Sequence, residues 1–216
     1  SQTHKPVVEQ SEVVGHAVRA VYMYSGMTDV AKETNDKKLK NACKKLWENL
    51  TQKRMYITGG IGPTHHNEGF TFDYDLPNET AYAETCASIA LANWAHRMFH
   101  MDPNSEYIDV LERAIYNGII SGLNLKGDRF FYSNRLAALP KEIEANPHGF
   151  SLERQPWFDV ACCPTNIVRF LPSIPGFIYS KNKNSVSINL YIQSKVVVDF
   201  NGHSVKINQK NSQPWD

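Results

Sequence analysis

The sequence predicts a mainly α-helical chain that turns to β structure near Pro172. Three observations carry this. Apolar residues recur at helical spacing in four stretches before residue 123. Strict alternation replaces that spacing after residue 185. A segment rich in glycine and proline interrupts the helices between about Tyr56 and Ala83. With 42% hydrophobic and 21% charged residues the composition is ordinary for a globular chain, so no compositional bias competes with these patterns.

A first helix is expected from about Val7 to Tyr24, on Val13, Val14, Ala17, Val18, Ala20, Val21 and Tyr24, with Gly26 as its C-cap. Asn35 and Asp36 offer N-caps for a second, which carries Leu39, Ala42, Cys43, Leu46, Trp47 and Leu50 on one face. The run from Tyr56 through Gly59, Gly60 and Gly62 to Pro63 suits no helix and opens a long loop; inside a compact domain such a loop is usually functional. A third helix follows from about Cys86 to Met101. A fourth runs from about Ser105 to Gly122, with Tyr107, Val110, Leu111, Ala114, Ile115 and Ile119 inward. Phe130 to Tyr132 suits a short strand, residues 135–157 read as loop, and a short helix after Pro164 includes Ile167, Val168, Phe170 and Leu171.

Strands are then expected over 185–192, 195–200 and 204–207, too few for an independent sandwich. The 216 residues therefore divide into a helical part, 1–172, and the beginning of a β part, 173–216, and the chain reads as an internal piece of a longer protein. A formal net charge of +1 gives no electrostatic case for nucleic acid or an anionic membrane. The longest apolar runs, such as Ala87 to Trp94, are too short to span a bilayer, and no charged-then-apolar leader follows Ser1.

The chemistry sits in a few positions. Of the four cysteines, Cys43 lies on a helix face and reads as core. Cys162 and Cys163 are adjacent, and bridging neighbours to each other strains the backbone, so a metal or catalytic role is favoured over a disulfide. Unpaired thiols also favour a reducing, cytoplasmic compartment. Glu84 and Cys86 complete a donor set of three thiolates and one carboxylate, which suits tetrahedral zinc. Positions i and i+2 of a helix point about 200° apart. Glu84 and Cys86 can therefore share an ion only where a loop enters a helix. Pro164, favoured in a first turn, makes the sharp turn that Cys162 and Cys163 need plausible, and a thiol at a helix N-terminus ionises readily.

Each of these has a plainer reading. Glu84 alone suits an exposed carboxylate at a helix start. His16 falls within an apolar face and reads as a satisfied core histidine. His65 and His66, beside Glu68, read as solvent-exposed loop. Asn49-Leu50-Thr51 and Asn78-Glu79-Thr80 match the glycosylation sequon, which occurs often by chance.

An ordered set of motifs goes further. Tyr56-Ile-Thr-Gly-Gly-Ile-Gly62, Glu68-Gly-Phe70, Tyr74-Asp-Leu-Pro-Asn78, Tyr82-Ala-Glu-Thr-Cys-Ala-Ser88, Glu112-Arg-Ala-Ile-Tyr-Asn-Gly118, Trp157-Phe158 and Cys162-Cys-Pro-Thr-Asn166 follow one another along nearly the whole chain. The string resembles glycoside hydrolase family 127, the β-L-arabinofuranosidases. The resemblance implies the second half of an (α/α)6 barrel followed by the start of a β-sandwich. It implies zinc held by Glu84, Cys86, Cys162 and Cys163, with Cys162 as nucleophile and Glu68 as general acid/base. It implies that His16 and Tyr132 contact a carbohydrate substrate, an arabinofuranoside-containing glycan, with no nucleic acid or membrane partner. Some relatives carry a further cysteine where this chain has Val160. As an acid, Glu68 should have a raised pKa. The alternatives are a glycosidase of other sugar specificity, or a zinc-stabilised carbohydrate-binding module without catalysis.

Overall fold

The computed structural model describes residues 2–139, 151–200 and 202–212. The chain forms two compact units, Ser1–Arg169 and Phe170–Asp216. The first is helical.

Helix α1 spans Ala17–Thr34, shifted towards the C-terminus from its expected place. Val7–Glu9 makes only a single 3-10 turn, and Gly15, with φ of 77°, breaks the chain before the helix starts. His16 is therefore the N-cap of α1 rather than part of an apolar face. Gly26 does not end the helix. It lies inside it with open space around its Cα, a position that costs helix propensity but creates no clash. The left-handed residue that stops α1 is Asn35, φ 53°, whose N–H donates to the Lys32 carbonyl. Asp36 then caps α2, Lys37–Lys53, by accepting from the Lys38 and Leu39 amides.

Helix α3, Thr85–Met101, is alanine-rich and buried on nearly every side. It packs chiefly on α1 and on α4, Ser105–Arg113. The fourth helical stretch has the expected extent but not the expected winding. It passes into π-helix at Ala114–Ile119 and then a 3-10 turn at Ile120–Gly122. Gly118 explains why α3 can come so close: a Cβ there would meet the Ser88 hydroxyl at 2.6 Å. Across these helices runs a chain of rings, with Tyr24 and Trp47 each 5.1 Å from Trp94 and Tyr107 4.9 Å from Trp47. The Trp94 indole N–H donates to Thr28 at 2.9 Å, so the buried ring leaves no donor unpaired.

Arg54 ends α2 in the core. It donates to Asp73 at 2.8 Å, to the Val13 carbonyl at 2.6 Å and to the Thr71 carbonyl at 2.8 Å. These bonds tie the start of the glycine-rich loop to the segment that leads into α1. Asn49 joins the same network through the Val13 amide and Asp73. It is buried, so its sequon presents no accessible acceptor. Asp73 is held down to about 2 by hydrogen bonds from Lys53 first, then Arg54.

Phe130 to Tyr132 is not a strand. Phe130 makes single bridges to Leu123 and Gln155, and Ser133 makes one to Glu84, because each neighbour is an isolated loop residue with no ladder to extend. Helix α5, Cys162–Phe170, starts before Pro164, which occupies its first turn. Residues 140–150, within the expected loop, lie outside the described residues.

In the second unit, β1 (Tyr179–Lys181) pairs antiparallel with β2 (Val186–Ile188), and β3 (Ser194–Phe200) with β4 (His203–Gln209). Val196 faces Ile207 and Val198 faces Val205 across the second pair. β3 alternates half-buried with exposed residues throughout, as its period-2 pattern requires. The expected strand over 185–192 shortens to Val186–Ile188. Asn189 leaves the ladder to bond the Phe177 carbonyl and the Ser180 hydroxyl.

Candidate active site

Three helix N-termini converge on one region of the first unit. Glu84 is the N-cap of α3, with φ −57° and ψ 136°, and Cys86 lies in its first turn. The extended backbone at Glu84 removes the helical divergence of positions 84 and 86. Cys162 and Cys163 open α5. The result is a tight cluster. Cys86 Sγ lies 3.2 Å from Cys162 Sγ and 3.4 Å from Cys163 Sγ, and Glu84 Oε1 lies 3.4 and 3.6 Å from the same two sulfurs. All four donor atoms lie within 4.8 Å of one another. Glu84, Cys86 and Cys163 are fully buried, and Cys162 is half-buried.

Backbone strain sets these corners. Asn67, Glu68, Ala83 and Asp159 all have positive φ, between 39° and 55°. Each costs about 1–3 kcal/mol, and such residues persist where the surroundings over-determine them. One of them is Glu68 itself, one precedes Glu84, and one precedes the cysteine pair.

The electrostatics are those of a site short of a counter-charge. Burial, then the charges of Cys162 and Glu68, push the Glu84 carboxyl up to about 8. Hydrogen bonds from Cys163 and Cys86 hold Cys162 far below the ordinary thiol range, as the thiolate, while Cys86 and Cys163 are raised. Glu84 Oε2 is buried and has no hydrogen-bond partner among the described residues. Three sulfurs and one carboxylate, itself with a buried and orphaned oxygen, fit a four-coordinate divalent cation that accepts soft ligands.

Glu68 sits beside this cluster. One oxygen of Glu68, one of Glu84 and a ring nitrogen of His16 lie within 4.8 Å of one another. His16 Nε2 is 2.7 Å from Glu68 Oε2, and the Tyr82 hydroxyl donates to Glu68 Oε1 at 3.0 Å. The pairing is built by the backbone: Phe70 N–H donates to the Gly15 carbonyl, and a Cβ on Gly69 would lie 2.7 Å from that same oxygen. Only glycine allows the loop to approach α1 so closely. The Glu68 carboxyl is lowered, by the His16 hydrogen bond first and with help from Tyr82, against a smaller opposing effect of burial. This corrects the sequence expectation of a raised pKa. Two donors outweigh a desolvation that is only partial, since the side chain is 36% exposed.

Glu68, Tyr82, Tyr132, Phe158, His65 and Val160 line a cleft of about 490 Å³. Tyr132 is buried, with its ring 6.3 Å from Tyr82 and 5.9 Å from Phe158. Neither this cleft nor a second one of about 550 Å³, beside Thr58, Asn117 and Arg135, is lined by the cluster's four donors, but only the first is lined by Glu68. Sequence reasoning gave Tyr82 no role of its own; His65, read as solvent-exposed loop, is exposed, and its ring meets that of Tyr82 at 5.8 Å. The signal for Tyr82 was its place at the head of the motif Tyr82 to Ser88, two residues before Glu84. Sequence reasoning also missed Tyr22, whose hydroxyl bonds the Asn166 amide one helical turn beyond the cysteines.

Known proteins resemble this chain over its whole length. The model of the β-L-arabinofuranosidase GH127 catalytic domain matches residues 1–176. The non-reducing end β-L-arabinofuranosidase of Bifidobacterium longum subsp. longum is 38% identical over 217 residues, covering 100% of this chain and 33% of that protein. The crystal structure of a GH127 β-L-arabinofuranosidase from Geobacillus stearothermophilus T6 superposes with a TM-score of 0.95 at 50% identity, covering 100% of this chain and 34% of that one. A further GH127 β-arabinofuranosidase structure gives 0.90 at 48% identity, covering 100% and 32%. The chain thus spans about a third of the length of these relatives.

Proposed function

The chain belongs to glycoside hydrolase family 127, and from that premise we propose that it supplies the nucleophile and the acid/base of a retaining β-L-arabinofuranosidase. The observation that carries this reading is the meeting of Glu84, Cys86, Cys162 and Cys163 beside the Glu68 carboxyl. Glu84 and the three cysteines would hold zinc, which when bound keeps the thiol sulfurs deprotonated at neutral pH.

Cys162 is the half-buried sulfur of the set, and the one favoured as thiolate. In the proposed first step this sulfur attacks the anomeric carbon as the glycosidic C–O bond breaks, and Glu68 gives its proton to the departing oxygen. In the second, Glu68 takes a proton from water, the water oxygen attacks the anomeric carbon, and the C–S bond breaks to return the Cys162 thiolate. His16 and Tyr132 bind sugar hydroxyls. His16 has a second effect in this scheme. A sugar hydroxyl that competes for Nε2 removes the larger of the two influences holding Glu68 ionised, and so favours the protonated acid that the first step needs.

In the domain reading, residues 1–172 form part of an (α/α)6 barrel and 173–216 the start of a β-sandwich. The competing reading is a carbohydrate-binding module in which the cluster only braces the fold. In the full-length protein, Glu68→Gln is expected to keep its metal content and fold while kcat for an aryl β-L-arabinofuranoside falls at least about a hundredfold, because the second step needs the base whatever the leaving group. Parent-like activity in that variant, or absence of metal from the active parent, would overturn the assignment. The isolated 216 residues are expected to show no turnover.

A further inference from the structure

Both oxygens of Glu68 are tethered, but not alike. Oε2 meets His16, which is the N-cap of α1. Oε1 meets Tyr82, which shares the cleft wall with Glu68. Glu68 ends a single 3-10 turn, His66–Glu68, with left-handed backbone at Asn67 and Glu68, so no longer helix or strand carries the carboxyl group. Tyr82 is enclosed by contrast. It is buried, its ring packs edge-on against His65, and it lies two residues from the N-cap of α3.

A phenol suits a group that must carry a proton in one step and lack it in the next. Its hydroxyl donates to a carboxylate, and after rotation about its C–O bond it accepts from a carboxylic acid. Imidazole can reverse its role only by moving a proton between ring nitrogens, and His16 Nδ1 is buried without a partner among the described residues.

We propose that Tyr82 is a positioning residue that aims Oε1 of Glu68 into the cleft and holds it there in both the acid and the carboxylate form. The proton transferred to the leaving oxygen remains that of Glu68; Tyr82 neither gains nor loses one over the cycle. This rests on Glu68 being the acid/base.

The test compares two leaving groups in the full-length protein. A nitrophenolate departs without protonation, whereas an alkoxide does not. Glu68→Gln and Tyr82→Phe are assayed for kcat/KM on nitrophenyl and methyl β-L-arabinofuranosides, and the ratio of the two substrates is taken within each variant, so that any loss of folded enzyme cancels. Tyr82→Phe is expected to lower kcat/KM for the methyl glycoside about ten- to a hundredfold and for the nitrophenyl glycoside less than about threefold, in the same sense as Glu68→Gln but smaller. An unchanged ratio in Tyr82→Phe, beside an altered ratio in Glu68→Gln, overturns the positioning role alone. An unchanged ratio in Glu68→Gln overturns the acid/base assignment and this inference with it.

Discussion

His96 and His100 lie one turn apart near the C-terminus of α3, with Nε2 atoms 2.9 Å apart and rings edge-to-face at 4.3 Å. Burial, then the charges of His100 and Arg97, push His96 down from 6.5 to about 4, and His100 is lowered as well, by burial first. One proton between the two nitrogens makes a hydrogen bond; two protons place like charges face to face. A histidine depressed on folding leaves stability intact above its unfolded pKa of 6.5. Stability is then lost as pH falls from 6.5 towards about 4, because the unfolded chain binds the proton first. Between those limits the loss grows by 1.36 kcal/mol per pH step, so it reaches about 2 kcal/mol at pH 5. Urea unfolding at pH 7 and pH 5 is expected to show this loss in the parent and to show it reduced by about the same amount in His96→Gln. The imidazole resonances of the parent should place one titration below pH 5. Equal pH sensitivity in parent and variant, or a His96 titration above pH 6, would refute the reasoning.

Other expectations follow from packing. Gly118→Ala forces a methyl against the Ser88 hydroxyl at 2.6 Å and its Cβ at 2.9 Å, and should destabilise by about 1–3 kcal/mol in urea unfolding, with part of the loss recovered by adding Ser88→Gly. Arg54→Met removes a buried cation and leaves the Val13 and Thr71 carbonyls without their donor, and should cost about 3 kcal/mol by the same measurement.

The helices that carry a clear apolar stripe were legible in the sequence: α2 and α3 lie where Leu39 to Leu50 and Cys86 to Met101 placed them. The start of the chain was not. Val7 to Val14 has helical spacing, yet Gly15 adopts a left-handed conformation that spacing does not reveal, and Gly26 looks like a terminator while α1 runs through it. The strand expected at Phe130 fails for a related reason, since β propensity cannot report whether a ladder partner exists. The donor cluster was legible because residue types constrain metal chemistry and because positions 84 and 86 could converge only at a helix entrance. The ionisation of Glu68 was not. It depends on His16 and Tyr82, which meet the carboxyl through tertiary approach over 52 and 14 residues of chain.

The sulfur cluster has a topological side as well. Cys86 and Cys162 stand 76 positions apart, so an ion gripped by all four donors would act as a clasp that closes a large ring of polypeptide. By chain-entropy arithmetic for cross-links, such a closure penalises the unfolded chain by about 4–5 kcal/mol. A protein clasped in this way would survive a single cut within that ring with its two pieces still fastened. The cut chain would come apart only once a chelator opened the clasp.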